Sequence, residues 1–281
     1  MEEERDREAL VWQTGVWDRI SDVYVREIDR RFGPVVDGVV ARAALRSDQR
    51  VLDLGTGTGA VAERAAALVG PSGRVLGVDI SPEMLARARR RVTTRGLTNV
   101  AFREGRAEAL PVEDAAYDAV LASLSLMYVI DRAAAAREIA RVLRPGGRLV
   151  AAVWAGPEGC DIVRFQQTAG RFAPPPPVPG VGPGALADPT AFLEQLAAAG
   201  LPARVETETL GFDFEDFTSA WDVLAGVTAA RLAPERRQEA KRAVLAAMYP
   251  QGDGPRRFRN LTQFIIGSRR AEASGPSAGS P

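Results

Sequence analysis

The chain has 281 residues, 46% of them hydrophobic and 26% charged, a balance that suits a folded protein of enzyme size and excludes a mostly disordered one. Its 36 basic and 36 acidic residues cancel, so no global field draws it to nucleic acid or to an anionic membrane. Histidine is absent and Cys160 is the sole cysteine, which removes disulfides, His/Cys zinc sites, Ser-His-Asp triads and any histidine general base together.

The N-terminus, MEEERDREAL, is charged and unlike a secretory signal, and the longest apolar runs, such as AVLASLSLMYVI at 119–130, are too short to span a bilayer. The cytoplasm is the expected compartment. Residues 8–46 read as two helices broken by RFGP at 31–34, with Trp12, Trp17, Ile20, Tyr24 and Ile28 at helical spacing. From 50 to 155, strand-like runs (RVLDLG, RVLGVD, VAFREG, YDAVLASLSL, GRLVAAVW) alternate with amphipathic helical ones. Such alternation predicts βαβ units on a parallel sheet covered on both faces. FAPPPPVPGVGPG at 172–184 is then an extended connection. A helix at 189–199, a strand near 203–214, helical stretches from 215 to 248 and a last strand, LTQFIIGSR, follow. RRFRN at 256–260 reads as a solvated segment and RPGGRL as a turn into the fifth strand.

The first strand runs into VLDLGTGTGAVAERAA at 51–66. A glycine-rich turn between strand and helix lets a ligand approach the backbone and the positive end of a helix dipole. Gly55, Gly57 and Ala60 satisfy G-x-G-x-x-A, and Asp79 lies twenty residues past Gly59, so a dinucleotide fold matches formally. Asp53, two residues before Gly55, argues against it: a carboxylate facing a pyrophosphate is costly, whereas one facing a cationic ligand is favourable.

In VLDLGTGTG, VLGVDISPEMLARAR, GRAEALPVEDAAYDAV and REIARVLRPGGRLV, over about residues 45–155, the chain resembles the class I S-adenosylmethionine-dependent methyltransferases, in particular the small-molecule branch of ubiquinone and menaquinone C-methyltransferases. The resemblance implies an α/β fold: a doubly wound, mostly parallel seven-stranded sheet of the Rossmann-like methyltransferase kind, with N-terminal helices and a helical lid insertion. The expected organisation is an N-terminal helical cap (1–45), a cofactor-binding core (46–155), a substrate lid insertion with the last sheet strands (156–270) and, from its composition, a disordered tail (271–281). The resemblance implies S-adenosyl-L-methionine as cofactor. Gly55, Thr56, Gly57 and Gly59 would admit the amino-acid part, Asp53 would hold its ammonium group, and Asp79 would accept from the ribose hydroxyls. Ile80 and Met84 would pack beside the base, and Ala107, Glu108 and Ser123 complete the expected cofactor contacts.

One block departs from the family. Members often carry Gly-Asp-Ala-Glu where this chain has Gly105-Arg106-Ala107-Glu108. Arginine donates only, so Arg106 cannot replace an acceptor for the adenine amine. It is instead expected to stack on the base, reach a ring nitrogen or point to solvent.

A sulfonium methyl is already activated, so binding, alignment and water exclusion carry most of the expected catalysis. Tyr128, Tyr24 and Asp131 are the candidate catalytic helpers, although Asp131 also suits a helix N-cap. Aromatic residues outside the core, from Trp12 and Trp17 through Trp154, Phe165, Phe212 and Trp221 to Tyr249, suit an aromatic or polyketide-like acceptor, a quinone-type or natural-product small molecule. The expected partners are that small molecule and, as oligomer, a homodimer, with no nucleic acid and no membrane. Two other readings stand beside methyl transfer: a cofactor-bound cyclase or binding protein on the same fold, and an NAD(P)-dependent oxidoreductase.

Overall fold

The strand-like runs of the core pair side by side in a computed structural model that describes residues 2–270; the tail 271–281 lies outside the described residues. The strands are β1 (Arg50–Leu54), β2 (Arg74–Asp79), β3 (Val100–Glu104), β4 (Tyr117–Ser123), β5 (Leu143–Trp154), β6 (Ala203–Phe214) and β7 (Arg256–Ser268). They form one open sheet in the order β3-β2-β1-β4-β5-β7-β6. β1 to β5 are parallel, and β7 enters antiparallel between β5 and β6. Four consecutive residues of β1, Val51 to Leu54, are buried, as expected of a strand covered by helices on both faces.

The covering helices are α1 (Glu2–Val23), α2 (Asp29–Ala43), α3 (Ala60–Val69), α4 (Pro82–Thr94), α5 (Arg132–Val142), α6 (Asp161–Gly170), α7 (Thr190–Ala198), α8 (Phe217–Leu224) and α9 (Pro234–Met248). α4 shows why they form where they do. Ser81 caps it by accepting from the Met84 N–H at 3.1 Å, Pro82 occupies its first position, and Met84, Leu85, Ala88 and Val92 bury one stripe. Among the described residues, no helix is long and apolar enough to cross a membrane.

Three expectations are corrected. The N-terminal helices do not break at RFGP: α2 runs through Pro34, and the irregularity is a π-helical turn, Tyr24–Ile28, just before it. Proline removes only its own N–H bond, the one to the Arg30 carbonyl, so a helix packed along its length continues through it. RRFRN is not a solvated segment but the first part of β7, with Phe258 and Asn260 buried while Arg257 and Arg259 are exposed. RPGG likewise lies within β5, whose pairing with β4 shifts register between Tyr117 and Ala119.

Candidate functional site

The site lies beyond the C-terminal ends of β1, β2 and β4, where the strand order turns back on itself, the usual ligand position in an open α/β sheet. Behind β1, Gly55, Gly57 and Gly59 take φ of +68°, +53° and +81°, a left-handed region that strains other residues. A Cβ on Gly55 would stand 2.3 Å from the Cβ of Ser125. Gly55→Ala is therefore expected to lower the chain's stability by about 1–2 kcal/mol, read as a shift in the urea midpoint; an unshifted midpoint would show that the turn relaxes freely.

Asp79 ends β2 and ties two loops together. Its Oδ2 accepts from the Gly57 N–H at 2.8 Å and its Oδ1 from the Ser81 N–H at 2.9 Å. Burial raises its pKa to about 6 against the pull of those N–H groups. Each oxygen keeps a lone pair, so the carboxylate remains able to accept from a vicinal diol. Around it lies a cavity of about 110 Å³. Gly55, Gly57, Asp79, Ile80, Met84, Arg106, Ala107, Glu108, Ser123, Tyr24 and Tyr128 all line it, together with residues that the sequence did not single out: Leu10, Gln13, Leu124 and Ile130 among them.

α1 roofs this cavity. Gln13 Nε2 donates to the Tyr128 carbonyl at 2.8 Å, and the Trp17 ring meets the Tyr128 ring edge-on at 4.7 Å. Asp18 reaches across to accept from Ser81 Oγ at 2.6 Å, and Asp22 pairs with Arg87 at 2.7 Å. The floor beyond β4 holds Leu124 at φ +57°, a strained conformation for a side-chain-bearing residue of the kind that collects at functional sites. Nothing in the sequence marks Leu124, because the strain is imposed by the turn around it.

Some expected site residues fall elsewhere. Asp53 is 1% exposed and does not line the main cavity; its Oδ2 accepts from Thr56 Oγ1 at 2.6 Å and from the Ala62 N–H at 3.0 Å. Its Oδ1 is buried without a partner, and burial raises the pKa to about 7. It braces the glycine turn from behind, so the argument that it repels a pyrophosphate passes to the carboxylates that do face the space. Gly59 serves packing: a Cβ there would lie 3.1 Å from that of Ala88. Thr56 faces a smaller neighbouring cavity. Asp131 is exposed and caps α5, its Oδ1 accepting from the Ala134 N–H at 2.8 Å, outside the main cavity.

Arg106 has a partner the sequence did not show: its Nε lies 3.7 Å from Glu108 Oε2, while Glu108 Oε1 accepts from the Ile130 N–H at 3.1 Å. The two tyrosine hydroxyls are shifted by burial well above the ordinary tyrosine range, so near neutral pH they donate hydrogen bonds and take no proton. The lid aromatics also correct the reading. Phe165, Phe212, Phe214, Phe217, Trp221 and Tyr249 are buried in stacked, tilted and edge-on contacts with one another and with Phe258, and Trp154 packs edge-on against Phe32. A lid must fill its own core, and of these candidates only Trp17 lines the cavity.

The seven-stranded sheet, with β7 antiparallel between β5 and β6, has the Rossmann-like topology of the methyltransferase fold. Residues 45–158 match the model of a methyltransferase domain, so the resemblance read from the sequence is borne out across the core. The chain is 40% identical over 112 residues to the ubiquinone/menaquinone biosynthesis C-methyltransferase UbiE of Hahella chejuensis, a match covering 40% of this chain and 45% of that protein. The chain thus spans about half the length of the curated relatives it matches. In fold it is similar to the YcgJ protein of Bacillus subtilis, with a TM-score of 0.63 and 22% identity over 85% of this chain and 100% of that one. It is also similar to the [4+2]-cyclase SpnF, with a TM-score of 0.56 and 24% identity over 85% and 82% of the two chains.

Proposed function

We propose that the protein transfers the methyl group of S-adenosylmethionine to a small molecule bound beneath α1. The observation that carries this reading is Asp79, an ionisable acceptor pair fixed by two backbone N–H groups at the edge of a cavity whose far side is apolar. The residues fit the cofactor: Asp79 would hold the ribose hydroxyls, Ile80 and Met84 the base, and Gly55 and Gly57 the chain leading to sulfur. S-adenosylmethionine supplies an activated methyl cation equivalent and leaves as a neutral thioether. The protein's own contribution is alignment and dryness. Trp17, Leu10 and Leu126 exclude water, while Gln13 and Trp17 fix the turn that carries Tyr128.

No residue lining the main cavity is placed as a base beside its apolar half. Asp79 is committed to the loops at the nucleoside end, Glu108 to the Ile130 N–H, and the tyrosines stay protonated. The acceptor must therefore be acidic enough to lose its own proton to solvent, as a phenol, a hydroquinone or an enolisable carbonyl compound does, and its oxygen or carbon then attacks the sulfonium methyl in line with the carbon–sulfur bond that breaks. A quinone-type or polyketide-like acceptor meets that demand; the buried lid aromatics add nothing to it. The fold alone does not exclude the cyclase reading, because SpnF shares it at low identity.

Incubation with methyl-labelled cofactor and a panel of phenols, hydroquinones, enolisable diketones and amines separates the readings. Label appearing in a phenol, hydroquinone or diketone supports methyl transfer. Cofactor retained unchanged while an acceptor isomerises would replace it with the cyclase reading.

A further inference from the structure

A second, smaller cavity of about 40 Å³ opens beside the main one and shares Tyr24, Gly55, Gly57, Ser123 and Leu124 with it. With a nucleoside seated at Asp79 and Ile80, the 5′ side of the ribose leads past the glycine turn, so the amino-acid end of the cofactor falls into this smaller space. A zwitterion needs an anion for its ammonium group and N–H donors for its carboxylate. Asp29 is the only carboxylate among the residues lining the smaller cavity. Its side chain is 11% exposed; Thr58 Oγ1 donates to its Oδ1 at 2.7 Å, and Arg91 donates to its Oδ2.

Arg91 does not cancel the acceptor. It lies outside the cavity lining and divides its charge with Glu63, 3.3 Å away, while Glu63 also pairs with Arg95 at 2.9 Å. Two carboxylates and two guanidiniums thus balance, and Asp29 is the member turned to the cavity. For the ligand's carboxylate, Ala60 and Val61 of the first turn of α3 line the same space, at a helix start with no side-chain cap.

From this geometry we infer that Asp29, delivered from the N-terminal helix by the π-helical turn before it, accepts the ammonium group of the cofactor's amino-acid end. The inference rests on the methyl-transfer reading and deepens it. The role assigned to Asp53 from the sequence passes to a residue 24 positions earlier, in another element. It also makes the N-terminal segment part of the cofactor site as well as its roof.

Isothermal titration of the full chain with S-adenosylhomocysteine, its deaminated analogue and 5′-methylthioadenosine, which lacks the amino acid, tests it. The parent should bind S-adenosylhomocysteine at least tenfold more tightly than either of the others. Asp29→Asn should weaken S-adenosylhomocysteine tenfold or more, change 5′-methylthioadenosine less than twofold, and abolish the discrimination against the deaminated analogue. Thr58→Val, which keeps the carboxylate and removes only the hydroxyl that orients it, should show a smaller loss of the same selectivity and serves if Asp29→Asn does not fold. Equal affinities of the parent for all three ligands, or equal losses for all three in the variants, would overturn the role of Asp29 while leaving cofactor binding intact. A parent that binds none of them would overturn the methyl-transfer reading itself.

Discussion

Asp79→Ala is expected to weaken S-adenosylhomocysteine binding by about 2–3 kcal/mol, a 30- to 150-fold rise in Kd, the scale of hydrogen bonds to a charged group. The loss has two sources. The ribose hydroxyls lose their acceptor, and the Gly57 and Ser81 N–H groups lose the carboxylate that holds their loops together. The effect has a pH signature, because burial sets the Asp79 pKa at about 6. The ionised form is the better acceptor, so affinity in the parent should fall as pH drops through 6, and this slope should be missing from the variant. Calorimetric titration at pH 5 and pH 8, with circular dichroism to show that the variant is folded, measures both. An unchanged Kd would reduce Asp79 to a loop brace.

Asp53→Asn should stabilise the ligand-free protein at alkaline pH, an unusual direction for a change at a buried polar site. Asparagine keeps an oxygen to accept from Thr56 Oγ1 and the Ala62 N–H, bonds now made by Asp53 Oδ2, and it carries no charge. The parent's carboxyl has a pKa raised by burial from 3.8 unfolded to about 7 folded. Between those values the folded state binds the proton that the unfolded state has released, so the parent loses stability as pH rises from about 4 to 7 and no more above it. A shift of this size corresponds to on the order of 2–4 kcal/mol. Urea titrations of both proteins should therefore show the variant gaining on the parent by about 2 kcal/mol between pH 5 and pH 8. A difference that is the same at both values would mean that the buried carboxyl does not titrate in this range.

What the sequence determined by itself is what depends on neighbours in the chain. The alternation of apolar runs with amphipathic ones dictated a parallel sheet covered by helices. Glycines 55, 57 and 59 announced a left-handed backbone that strains most other residues, and Asp79 at the end of an apolar run with Ser81 after it announced an acidic strand terminus leading into a capped helix. Each of these follows from local backbone requirements. The period-two pattern of RRFRN was present as well, with Phe258 and Asn260 inward and the arginines outward; its density of charge disguised a strand whose pairing partner, β6, is some fifty residues earlier. Only the tertiary structure decided which carboxylate faces the ligand space. In a strand buried on both sides, alternation does not say which face meets a cavity, so Asp53 and the glycine turn it braces looked equally exposed to ligand. The packing of α1 and α2 across the sheet ends, which brings Trp17, Gln13 and Asp29 over a turn that lies 26 or more residues further along the chain, involves contacts between distant segments whose geometry is set by how two helices and a π-helical turn fit together. The fate of the lid aromatics was decided in the same way: whether a buried ring touches ligand or another ring depends on the volume left between elements, and here the rings fill it themselves.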